Sequence, residues 1–141
     1  MSLEAAYRTG LLAYPPLQAR VSSRIYRNHF PDRKPEGAKA SRDRYPCLIY
    51  WRITGEEEEC YDDLSDAGER RFQWNGQSAR DSDEAEEVMD LWADANRWLI
   101  GQTVLGFRFD HIEIFENGEG WNSDLELAID SRDSLVSYQR V

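Results

Sequence analysis

The 141-residue chain is 40% hydrophobic and 12% aromatic and carries a formal net charge of −10, values that suit a single domain with a real core and exclude wholesale disorder. No apolar run approaches the roughly 18 residues of a membrane span. The acidic excess argues against bulk nucleic-acid binding, because most of the surface repels phosphate, with a local exception left open around residues 20–44.

Leu3 to Tyr14 has the pattern of a helix. Ser2 caps it, Glu4 favours its first turn, and Leu3, Tyr7, Gly10, Leu11 and Tyr14 fall near one face. Pro15-Pro16 ends it. The N-terminal stretch holds an acid and no basic run, so it does not have the pattern of a signal peptide. Leu17 to Val21 suggests another helical turn, and Arg24 to Tyr26 a short strand. Residues 28–44, NHFPDRKPEGAKASRDR, read as an extended basic loop broken by Pro31, Pro35 and Gly37.

Tyr45 to Thr54 is the strongest strand signal. Cys47, Ile49, Trp51 and Ile53 form a wholly apolar set expected to face the core, with Leu48, Tyr50, Arg52 and Thr54 on the other side. Gly55 and Glu56–Glu59 leave the core, Cys60 to Asp62 begins a return strand, Leu64 to Glu69 is a polar connection, and Arg70 to Trp74 is a strand. Asp83 to Ile100 is the clearest helix. Asp81 or Ser82 caps it, and Ala85, Val88, Met89, Trp92, Ala95 and Leu99 make its buried stripe. Gly101 suits the position just past its end. Val104 to Phe109 and Ile112 to Phe115 are strands, separate or continuous. Asn117-Gly118 signals a hairpin turn, and Leu125, Leu127 and Ile129 alternate in the last strand, within Asp124 to Tyr138. The expected fold is α+β: one domain over residues 1–141, with a mostly antiparallel sheet and two helices packed on one face.

Chemistry is hard to find in this chain. His29 and His111 are the only histidines. No HExxH, P-loop, GxSxG or GxGxxG motif occurs, and no His or Cys pair has metal-ligand spacing. The expectation is therefore no catalytic, cofactor-binding or metal-binding residue, and no enzyme. Cys47 and Cys60 read as reduced thiols, with a disulfide across a hairpin left open. Trp51, Trp74, Trp92 and Trp98 read as packing residues. Trp121, after the turn in NGEGWNS, is a candidate interface anchor if exposed and a folded-back loop residue if not.

Charge placement is the main functional signal. Residues 1–52 carry ten Arg or Lys against four acids, whereas residues 53–141 carry seven Arg against 23 acids. Unlike ends on one chain suit head-to-tail contact between copies, and such contacts close into rings or run on as filaments.

The order of motifs resembles a known family. A short N-terminal helix is followed by Arg24-Ile25-Tyr26 and a Pro-containing loop, then by Tyr45 to Gly55 (YPCLIYWRITG), Arg71 to Trp74 (RFQW) and the acidic helix Glu84 to Leu91 (EAEEVMDL). This resembles the tail-completion, or tail-terminator, proteins of long-tailed bacteriophages and prophages, over roughly Leu3 to Tyr138. The chain departs from that pattern in its longer loop at Asn28 to Arg44 and in the polar stretch Asn75 to Ser78. The resemblance implies a non-enzymatic α+β subunit of a hexameric ring that caps the tail tube and joins it to the head connector. It implies no cofactor, a place in the virion tail, and assembly in the bacterial host cytoplasm. In that reading Arg33, Lys34, Lys39, Arg42 and Arg44 of one copy reach Asp62, Asp63, Asp66 and Glu69, or Glu56–Glu59, of the next, with Trp121 as a further anchor. The alternative is an acidic monomeric binding module, such as an immunity protein or nucleic-acid mimic. An enzyme built from scattered acids and His111 ranks last, because no nucleophile–base pair can be named.

Overall fold

The computed structural model describes residues 2–28, 44–53, 67–123 and 125–141. Helix α1 (Leu3–Leu12) starts at Ser2, whose side chain accepts from the Ala5 N–H at 3.1 Å. Pro15 and Pro16 end α1 and occupy the first turn of α2 (Pro15–Val21), where a missing N–H costs nothing. The strands are β1 (Ile25–Arg27), β2 (Cys47–Ile53), β3 (Ala67–Ser78), β4 (Thr103–Val104), β5 (Phe107–Asn122) and β6 (Leu127–Arg140). Helix α3 (Ser82–Leu99) lies between β3 and β4, capped by Asp81, which accepts from the Glu84 N–H at 2.8 Å.

Two expectations about the architecture are corrected. The six strands form one mixed sheet in the order β1-β2-β3-β6-β5-β4, with β1 parallel to β2, curled into a half-barrel. It is not the mostly antiparallel sheet with two helices expected from the chain, and among the described residues the helices number three. The third helix is α2, short enough to read in the sequence as a lone turn. Its Leu17 and Val21 are fully buried in the core shared by α1, α3 and the sheet.

The facing of β2 is also the reverse of the expectation. Leu48 and Tyr50 enter the main core beside Phe72, Trp74 and the helices. Cys47 and Ile49 join a second cluster with Tyr45 and Leu127, against which Tyr26 and Trp51 pack. Both faces of β2 are buried, so apolar content did not identify which one meets the helices.

The main core is aromatic at its centre. Tyr7 meets Phe72, Trp74 and Phe109 at ring-centroid distances of 5.3, 5.5 and 5.9 Å. Tyr50 stacks on Trp74 at 4.9 Å. The Tyr7 hydroxyl bonds Asn96 Oδ1 and lies 2.9 Å from Ser134 Oγ. With one proton, it donates to the amide oxygen, which can only accept, and accepts from the Ser134 hydroxyl. Trp74 Nε1 donates to the same Ser134 oxygen at 3.2 Å. These bonds satisfy a polar line through an apolar centre and tie α1, β3, α3 and β6 together. Gly76 sets the depth at which α3 lies on the sheet: a Cβ there would stand 2.6 Å from Met89 Cγ and 3.2 Å from the Ala85 carbonyl oxygen.

The last two strands form a longer hairpin than the sequence suggests. Asn117-Gly118 is not its turn. It lies inside β5, at one of two register shifts against β6, between Glu116 and Gly118. Gly118 takes φ 110° there, as the bulge geometry requires. The chain reverses after Asn122, before β6 begins at Leu127.

Candidate assembly interface

Six acids fall within residues 81–90, and part of this density has a local cause. Asp81 caps α3, and Asp83 and Glu84 sit in the first turn, where the helix N-terminus attracts negative charge. Glu84 also accepts from Ser78 Oγ at 2.8 Å and from Arg20 at 3.1 Å. Glu86 and Asp90 are surplus to those needs.

Folding brings this surplus against a second acidic row. Glu116 and Glu119 of β5 join Glu86, Gly118, Asp130 and Arg132 around a groove of about 150 Å³. Glu86 is held above the usual carboxylate range, chiefly by the charges of Glu119 and Asp90. Arg132 is the cation of the groove, with its side chain 9% exposed. It donates to Asp90 Oδ1 at 2.8 Å, to Asp130 Oδ2 at 3.1 Å and to the Met89 carbonyl at 3.3 Å. Burial lowers the Arg132 pKa, but the hydrogen bond to Asp90 and the charges of Asp130 and Asp90 outweigh it, and the net shift is upward. Burial raises Asp130, with Arg132 opposing. Arg132 therefore ties α3 to β6 beneath a rim of acids.

The opposite face of the β3–β6–β5 ladder carries a larger recess of about 470 Å³, lined by residues including Gln73, Asn117, Ser131 and Asp133. Of its two carboxylates, Glu119 also lines the acidic groove, and Asp133 is already engaged. Asp133 accepts from Asn117 at 2.6 Å and from Arg71 Nε and Nη2 at 3.1 and 3.0 Å. The Arg71 guanidinium stacks on Phe115 at 4.7 Å. His111 is exposed on β5. Among the described residues no group of three or more His, Cys, Asp or Glu is placed to hold a metal ion.

The interface residues read from the sequence fare unevenly. Arg33, Lys34, Lys39, Arg42, Asp62, Asp63 and Asp66, like Glu56–Glu59, Cys60 and His29, lie outside the described residues. Arg44 is exposed just ahead of β2, and Glu69 is exposed within β3 rather than on a connection. The β2–β3 register, from Cys47↔Gln77 to Ile53↔Arg71, puts them beyond opposite ends of a ladder that is itself about 20 Å long at the usual strand rise. Trp121 is 60% exposed near the end of β5, which settles it as a surface residue.

Part of the charge split is consumed inside the molecule. Arg20 pairs with Glu84 and Glu87 at 3.1 and 3.5 Å, and Arg27 and Arg52 pair with Glu4 at 3.1 and 3.9 Å. The sequence reading missed Arg132 and the meeting of Glu86 with Glu119. Alternation along the last strand puts Arg132 on the same face as Ser134 and Val136, a basic residue on a core-facing row. That was the available signal.

No protein-family model matches the chain, and no curated protein matches it. Among solved structures, it is similar to a chain in the virion of a native gene transfer agent particle, with a TM-score of 0.51 and 16% identity over 99% of this chain and 94% of that one. At that identity the likeness is one of fold.

Proposed function

We propose that the protein is a non-enzymatic structural subunit of a phage-like tail, forming a ring that caps the tail tube and joins it to the head connector. The observation that carries this reading is the end-to-end fold likeness to a chain of a gene transfer agent virion, which agrees with the motif order of the tail-terminator resemblance. The acidic groove and the exposed Trp121 supply assembly surfaces of the kind such a subunit needs. Deleting the gene from the element that encodes it should yield heads and tails that do not join, seen by negative-stain microscopy. Intact particles at normal yield would refute the reading. Independently, the purified protein at high concentration and low salt should scatter light as a closed oligomer.

A second reading is an acidic monomeric module that captures a basic protein. It draws support from the formal net charge of −10 and from the internal pairing of Arg20, Arg27 and Arg52, which engages those cations within the molecule. A one-to-one complex with a basic partner, with an association rate that falls as salt rises, would favour it.

A further inference from the structure

The end of the molecule away from the acidic groove exposes apolar side chains, of which Trp98 also meets the Tyr14 ring at 5.8 Å. It is built from the C-terminus of α3, the strand β4 and the start of β5. Gly101 N–H donates to the Phe109 carbonyl at 2.6 Å, Phe109 N–H donates to Gln102 at 2.9 Å, and Thr103 pairs with Arg108. Trp98, Ile100 and Leu105 of this end are 39%, 36% and 46% exposed. Arg97, Arg108 and Arg140 border it. Arg97 is held by an exposed ion pair to Asp94, which is weak and exchanges readily, while Arg108 pairs with Asp110 and also donates to Gln139 Oε1 at 2.7 Å. Arg140 stacks on Phe107 at 5.2 Å.

Leu105 is the informative residue. It and Gly106 form the two-residue turn between β4 and β5, with φ of 50° and 84°. This is the turn in which both central residues take positive φ, and it favours Asn-Gly. Leucine there carries backbone strain and leaves nearly half its side chain in water. Neither local geometry nor the core accounts for it, whereas a buried contact made on assembly does.

The acidic groove lies toward the start of α3: Glu86 is twelve residues before Trp98, roughly 18 Å along the helix axis. That end carries Glu86, Asp90, Glu116 and Glu119, with Trp121 beside them on β5. One end thus offers apolar side chains bordered by arginines, and the other offers surplus carboxylates beside an exposed indole. Pairing two like ends would bring acids against acids at one contact.

We propose that the Trp98–Ile100–Leu105 end of one copy seats on the acidic groove and Trp121 of a second copy, giving a heterologous contact that propagates around a ring. The proposal rests on the ring-subunit reading and specifies its surfaces. These differ from the basic front segment read from the sequence, because the complementary ends are set by α3 and β5 and not by chain order.

The test is cysteine cross-linking between two variants of the full chain, Leu105→Cys and Trp121→Cys, in a Cys60→Ser background; Cys47 is buried. Mixed under oxidising conditions at high concentration and low salt, they should give a Leu105→Cys/Trp121→Cys heterodimer at least tenfold above either homodimer. Homodimers equal to or above the heterodimer would overturn the proposal. A second variant, Leu105→Asn, suits the turn better and should keep or raise Tm while weakening self-association at least fivefold by light scattering. Unchanged association would overturn the proposal. Association without the mixed cross-link defeats the named surfaces and leaves the ring reading standing. A monomer at every concentration with no cross-link defeats both.

Discussion

Removing one oxygen from the centre of the core should cost several times the energy of an average surface change. In Tyr7→Phe the ring stays and the hydroxyl goes. Tyr7, Asn96 and Ser134 are 1%, 1% and 0% exposed, so water does not replace what is lost. Two hydrogen bonds disappear, each worth about 1 kcal/mol net. Asn96 Oδ1 is left buried without its donor, a penalty of about 1–3 kcal/mol. The overlap between these terms puts the loss at about 2–4 kcal/mol, a large share of the ~5–15 kcal/mol that holds a typical domain folded. Urea unfolding followed by tryptophan fluorescence is the assay, because Trp74 and Trp92 lie in the same cluster, 5.6 Å apart. The midpoint should fall with the slope unchanged. The double variant Tyr7→Phe/Asn96→Leu should recover much of the loss, because both polar partners are then gone. A single variant within about 0.5 kcal/mol of the parent would refute the account of a closed polar line, since that is the scale of an ordinary surface substitution.

Other outcomes follow from the same geometry. Burial lifts the Tyr7 phenol well above its ordinary pKa of 10.0, so its contribution to stability is complete below that pH and declines as pH rises beyond it. Urea midpoints should fall steeply above about pH 10, and less steeply in Tyr7→Phe. Gly76→Ala forces a Cβ against Met89 and the Ala85 carbonyl and should cost about 1–3 kcal/mol in the same denaturation assay, through displacement of α3. Arg132→Met leaves Asp130, with a side chain only 8% exposed, without its buried cation. It should destabilise the fold by about 3 kcal/mol at pH 7, and by less at pH 4, where the carboxyl can take up a proton. An equal loss at both pH values would show that Arg132 acts through packing alone.

Helix α3 was legible from the chain down to its cap and its buried stripe. Its period, its acidic first turn and Gly101 all concern residues within a few positions of one another, and local physics selects among them. The alternation of Phe72 and Trp74 marked β3 in the same way. Three features were decided by tertiary structure alone. The facing of β2 was one, because both of its faces are buried and apolar content does not distinguish a sheet face under helices from one under a smaller cluster. The run through Asn117-Gly118 was another. The local preference for a turn yields to continuous pairing with β6, which accommodates the pair as a bulge. The third was the charge arrangement that matters for assembly. The chain sets how many acids and arginines there are and divides them front from rear. Folding pairs Arg20, Arg27 and Arg52 internally and brings Glu86 beside Glu119, 33 residues away. Electrostatic energy depends on distance in space, and proximity of that kind exists only after the strands and α3 have packed.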